Sequence, residues 1–155
     1  MISRGDTGGA SLIHSENVRP PRWQRTVLLA ACIHCSVWSL FIMGLPELSS
    51  KVYGFAEPPQ DVHLWQGTGL FIGLLAVGYG MAAGNPRQHW GIVLIGLLAK
   101  VLGAIGMTVA VVRGQVSANV LWLLPIDDVI WWWPFWRIVR DNWRATLASH
   151  PPDCE

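Results

Sequence analysis

Charge is scarce in this chain. Of its 155 residues only 14% are Asp, Glu, Lys or Arg, and 11 cations against 10 anions leave a formal net charge of +1. Soluble domains carry about a quarter of such residues. A near-neutral chain lacks the basic face that neutralises phosphates, which excludes nucleic acid as a partner. Cysteine is scarce too: Cys32, Cys35 and Cys154 do not make the even, spaced framework that staples small secreted domains. No glycine-rich phosphate loop and no nucleophile elbow is present. No His/Cys cluster has metal or haem spacing, and His63 and His89 fall near opposite ends of two predicted helices. The chain is therefore expected to hold no metal and no resident cofactor, and an enzyme is the less expected reading.

What the chain has is apolar length. Hydrophobic residues make up 52% of it and there are 10 tryptophans. Four apolar stretches each approach the roughly 20 residues with which a helix crosses about 30 Å of hydrocarbon. The expected helices span about 26–45, 64–83, 90–112 and 119–139, and together 26–140 reads as one all-α, integral membrane four-helix bundle. A barrel would instead need many alternating segments of about ten residues. Pro46 ends the first stretch and opens a polar turn, 47–51. Residues 1–25 read as a disordered or surface-lying tail and 141–155 as a basic-to-polar tail. A cleaved signal peptide is rejected because the first apolar run is long and lacks a small-residue cleavage site.

Orientation follows from the cations. With the N-terminus inside, the inner side holds Arg4, Arg19, Arg22, Arg25, Arg87, Arg137, Arg140 and Arg144, and the outer side only Lys51 and Arg113. Both termini are thus expected to be cytoplasmic. Trp23, Trp90, Trp136 and Trp143 would lie at the inner interface, Trp65 and Trp122 at the outer one.

The second stretch carries a packing signal. Gly69, Gly73, Ala76, Gly80 and Ala83 recur at spacings of four and three, so one helix stripe is made of small residues. Such a stripe lets backbones approach closely in lipid, either as a seam within the chain or as a homo-oligomer face.

Three ionisable residues interrupt the later stretches: Lys100, Asp127 and Asp128. A charge at the bilayer centre costs about 2.5–3.5 kcal/mol on insertion scales, so these groups should face the bundle interior and pair. Lys100 follows Arg87 by thirteen residues and Asp127 precedes Arg140 by thirteen, which puts both roughly 20 Å from the inner anchors. His34, near the middle of the first helix, is a further titrating group for this intramembrane polar centre. The bland reading is an ion pair locking two helices, with one Asp capping a helix end after Pro125. The sharper reading is a proton relay or a substrate site. On a regular helix Asp127 shares its face with Trp131 and Phe135, while Asp128 points about 100° away, towards Trp132 and Trp136.

Cys32 and Cys35 form a Cys-x-x-Cys pair with possible redox chemistry, although buried cysteine usually behaves as a small hydrophobe. Trp131, Trp132 and Trp136 form an aromatic cluster, which faces lipid or offers a flat pocket for a quinone or lipid headgroup. Pro134 is expected to kink the helix there.

Several short pieces carry a resemblance: Leu64 to Gly67, Gly78 to Gly80, Pro86 to Trp90, Gly96 to Gly103 and Asp127 to Phe135. Across about 53–141 the chain resembles a group of small bacterial membrane proteins loosely similar to the DoxX-like four-helix family. Members often carry Asn-Asp where Asp127-Asp128 stands here, so Asp128 is the matching acid and Asp127 the departure. The resemblance implies a four-helix fold in the bacterial inner membrane. By analogy it implies a link to thiosulfate–quinone redox complexes. A peroxide-reductase label carried by some relatives would need a thioredoxin-like body that this chain lacks.

Three functions are expected from these features. The leading one is a non-catalytic subunit or accessory of a larger membrane assembly, with the lipid bilayer and other membrane subunits, or further copies of itself, as partners. The others are a quinone-linked redox component and a small proton-coupled transporter.

Overall fold

The computed structural model describes residues 21–149, and every regular element among them is helical. Residues 1–20 and 150–155 lie outside the described residues, and with them Arg4, Arg19, Cys154 and most of the expected N-terminal tail.

Helix α1 spans Arg22–Gly44, a short α2 spans Pro46–Val52, α3 spans Val62–Gly84 and α4 spans Trp90–Val112. The chain then makes a 3-10 turn at Ala118–Trp122 and a π-helical turn at Pro125–Val129, and runs into α5, Ile130–Ser149. Helices α1, α3 and α4 are each 23 residues and apolar enough to cross a membrane.

The core is apolar, as in a soluble protein, but the outer surface is apolar too. Gln24, Ser39, Ser49, Ser50, Asp128 and Asn142 are buried, while Leu40, Leu64, Leu74 and Val112 are more than 60% exposed. Apolar surface of this extent needs an apolar surrounding.

The small stripe packs α3 on α1. A Cβ built at Gly73 would sit 2.6 Å from Ser39 Oγ, one at Gly69 2.9 Å from the Ile42 side chain, and one at Gly80 3.5 Å from Cys32 Sγ. The partners' numbers fall as the stripe's rise, so the helices are antiparallel. Ala76 and Ala83 are buried in the same core as Leu28, Ala31 and Cys35. The stripe is thus a seam within the chain.

Helix α5 returns antiparallel to α4, as two contacts show. Trp90 at the start of α4 stacks edge-on with Trp143, with centroids 4.9 Å apart, and Lys100 meets Asp127. One end of the bundle gathers Arg22, Arg25, Arg87, Arg137, Arg140 and Arg144. There the Arg137 guanidinium lies 5.2 Å from the Trp23 ring and that of Arg140 4.8 Å from Trp136, and buried Asn142 donates to Gln24 Oε1 at 3.2 Å. At the other end Gly54, with φ of 81°, accepts the Ser117 N–H at 2.8 Å. That contact ties the loop after α2 to the loop after α4. A side chain at Gly54 would also crowd Ser117 and Val120.

Boundaries differ from expectation at four places. Helix α1 begins at Arg22, not 26, because Pro21 immediately precedes it and Trp23 and Gln24 face the bundle. The turn expected at 47–51 is helix α2: Pro46, which cannot continue α1, occupies the first turn of the next helix, where its missing N–H costs nothing. The stretch expected as one helix over 119–139 is built from three pieces. Finally, α5 continues to Ser149, so 141–149 is helix and not tail.

Candidate functional site

The polar centre forms halfway along the helices. His34 lies twelve residues into α1 and Lys100 ten into α4, or about 18 and 15 Å along helices about 33 Å long. The π turn brings two carboxylates to them. Asp127 Oδ1 is 2.7 Å from His34 Nε2. The Lys100 ammonium donates to the Asp127 carbonyl at 2.7 Å and lies 3.5 Å from Asp127 Oδ1 and 3.3 Å from Asp128 Oδ1. Tyr53, from the loop after α2, donates its hydroxyl to Asp127 Oδ2 at 3.3 Å. Burial, and next the Asp127 charge, push the Tyr53 phenol well above its usual value. It therefore stays a donor at neutral pH.

His34, Lys100, Asp127 and Asp128 are thus brought into one cluster, each side chain no more than 20% exposed. Two expectations need correction. Neither aspartate caps a helix: the residue before the turn is Leu124, and no side chain caps it. Nor does Asp128 point away from Asp127 with Trp132 and Trp136. The Ile130 N–H bonds the Pro125 carbonyl five residues back, and in this wider turn, typical of π-bulges at functional sites, both acids reach Lys100. Tyr53 went unforeseen, because a loop tyrosine carries no periodic signal.

The cluster forms one wall of a cavity of about 200 Å³ between α3, α4 and the 118–128 segment. Lys100, Asp127, Asp128 and Tyr53 are its polar side, with Thr68 on the α3 wall; Phe71, Ile72, Leu75, Met107, Leu123 and Leu124 are among its apolar walls. A cavity of about 150 Å³ admits benzene, so this one is large enough for a small organic molecule. Gly103 lines it, and a Cβ there would meet nothing within 4 Å.

The aromatic cluster divides. Trp131 turns inward, its ring 5.4 Å from His34 and 5.8 Å from Phe135. Trp132 and Trp136, with Trp133, line a shallow apolar groove against Leu97, Leu98 and Val101 on α4. Cys32 and Cys35 are free thiols, Cys35 fully buried and Cys32 half-buried against Gly80. They pack with the core and neither lines the cavity nor hydrogen-bonds to the cluster, although Cys35 lies within electrostatic reach of Lys100, Asp127 and Asp128. Among the described residues no three His, Cys, Asp or Glu side chains are gathered as a metal ion requires.

Compared with known proteins, the chain matches no family model, no curated protein and no solved structure. Function is therefore read from the geometry alone. Among the described residues no serine or cysteine is hydrogen-bonded to a histidine or carboxylate. The geometry offers an imidazole and a carboxylate within proton-sharing distance, a neighbouring ammonium, and a space beside them.

Proposed function

We propose that this chain is a small, non-enzymatic carrier of the bacterial inner membrane, with 118–149 as its fourth crossing, both ends inside, and a proton-linked centre at His34, Asp127, Lys100 and Asp128. One observation carries the reading. Four ionisable groups from α1, α4 and the π turn meet at half-height beside a cavity. Intramembrane ionisable groups are costly and mark ion and substrate pathways. The gathering of Arg22, Arg25, Arg87, Arg137, Arg140 and Arg144 at one end supports the orientation.

Reconstitution into proteoliposomes holding a pH gradient tests the carrier. A panel of small cations, anions and neutral solutes is added outside, and a trapped dye reports collapse of the gradient. At least one solute class should collapse it in the wild type, at a rate reduced tenfold or more by Asp127→Asn with unchanged helicity. A wild-type protein that responds to no member of the panel would refute the carrier.

The accessory-subunit reading keeps one favourable observation. Helix α4 buries the smallest share of its length among the three apolar helices, and the tryptophan groove runs along it. The small stripe, which also suggested association, is occupied by α1. Migration as a single 17.1 kDa chain in native gels from mildly solubilised membranes would remove this second reading. For the redox reading, loss of membrane redox activity in Cys32→Ser or Cys35→Ser is the observation it would need.

A further inference from the structure

Charge counting around the cavity points to what enters it. Lys100 supplies one positive charge against the two carboxylates of Asp127 and Asp128, so these three side chains sum to one negative charge. The other groups near His34 do not change this sum: Trp131 from α5 and Trp38 from α1 are uncharged, Tyr53 is a neutral donor, the Cys35 thiol on α1 is neutral, and Tyr79 is the one titratable residue that α3 contributes to the adjoining core. Asp127 is saturated, with His34, Lys100 and Tyr53 all on its oxygens. Asp128 is not. Its side chain is 12% exposed, it lines the cavity, and its carboxylate has one polar partner among the described residues, Lys100 Nζ at 3.3 Å from Oδ1. Its Oδ2 accepts no hydrogen bond there. A carboxylate oxygen that accepts no hydrogen bond and opens into a space walled mainly by apolar side chains suits a positive charge on an apolar body. Phe71 and Tyr53 in the cavity wall suit such a cation as well.

Resting on the carrier reading above, we infer that the cavity beside Asp128 takes a small lipophilic monocation, which exchanges with one proton held in the His34–Asp127–Asp128 cluster. The centre needs one further positive charge, and proton and cation satisfy it alternately. Entry of the cation therefore releases the proton: the O–H or N–H bond that held it breaks, the electron pair stays on the carboxylate or imidazole, and the proton passes to water. The reciprocity of linked binding makes each ligand weaken the other by the same factor.

Benzyltrimethylammonium is a suitable probe, because its charge is independent of pH. Its binding to the purified protein in detergent is measured by calorimetry from pH 5.5 to 8.5, in two buffers of different ionisation enthalpy so that proton release is counted. Benzyl alcohol and benzoate serve as neutral and anionic controls. The cation should bind at least tenfold more tightly than either control. Its affinity should rise about tenfold per pH unit across the titrating range, with one proton released. Asp128→Asn should lower affinity at least tenfold and abolish proton release. Gly103→Leu, whose side chain enters open space, should block binding without disturbing the charged cluster. Equal binding of benzyl alcohol, a pH-independent affinity, or full affinity in Gly103→Leu would overturn the inference. The two proposals fail separately. If anions or neutral solutes collapse the pH gradient in proteoliposomes and the cation does not bind, the carrier stands and its substrate class falls. If the cation binds with proton release and no solute collapses the gradient, the binding site stands and the carrier falls.

Discussion

Lys100 is the residue on which the centre depends most. It is 11% exposed and faces two carboxylates at 14% and 12%. Removing one partner of a buried ion pair costs about 3–5 kcal/mol, whereas replacing the whole pair is close to neutral. Lys100→Met should therefore lower stability in mixed micelles by that amount, and adding Asp128→Asn should recover much of it, as equilibrium unfolding would show. Tyr53 makes a separate prediction, for alkaline pH. Its folded phenol holds its proton above the usual value of 10.0, because of burial first and the Asp127 charge second. The unfolded phenol releases its proton near the usual value, so the folded form then binds more protons and stability falls as pH rises. The contribution is complete below pH 10.0 and is lost above it. Between pH 9 and 11 the melting temperature should fall less steeply in Tyr53→Phe than in the wild type, and parallel curves would show that Tyr53 is not the group responsible.

Among the elements, the α1–α3 seam gives the sharpest test, because one atom decides it. A Cβ at Gly73 would clash with Ser39 Oγ at 2.6 Å but would lie 3.5 Å from Ser39 Cβ, an ordinary contact. Gly73→Ala should destabilise by about 1–3 kcal/mol, the range for overpacking, and Ser39→Ala in the same chain should relieve most of it. A double-mutant cycle measures the coupling, and additive effects would place Ser39 elsewhere. The seam was legible in the sequence because a run of small residues at helical spacing is a local pattern. The spans of α3 and α4 were legible for the same reason, since hydropathy reads length in hydrocarbon directly. The extension of α5 to Ser149 was not. Residues 140–149 mix good helix formers such as Arg140, Arg144, Ala145, Leu147 and Ala148 with polar residues, and a hydropathy window ends where the apolar run ends. Lys100, Asp127, Asp128 and His34 could be named as rare charges in apolar runs. Their meeting depended on the π turn and on Tyr53 arriving from a distant loop, and neither leaves a periodic trace.

At the scale of the whole molecule, the arginines at one end and the loops joined by Gly54 and Ser117 at the other define a polarity that labelling can read. In a Cys154→Ser background, Gln88→Cys lies in the turn between α3 and α4 at the basic end, and Glu57→Cys in the loop before α3 at the opposite end. A membrane-impermeant maleimide applied to spheroplasts should modify Glu57→Cys at once and Gln88→Cys only after permeabilisation. The reverse pattern would invert the proposed orientation. The same layout explains why the centre is compatible with so much exposed apolar surface. Its polar groups are spent on one another at half-height, and the outer faces of α1, α3 and α4 are left to Leu, Ile and Val.

The π turn has a meaning for descent as well as for geometry. Such a turn holds one residue more than a regular helix needs, so a single deletion can undo it. A sister chain lacking Ile126 would keep its hydropathy profile, its arginine asymmetry and its acidic pair. Yet the segment before the deletion would rotate by about 100° against α5, and Asp127 and Asp128 could no longer share one lysine. Two chains that look interchangeable by composition would thus divide into one with a working charge centre and one with only a packed bundle, so the length of the 123–130 segment is the character by which to sort them.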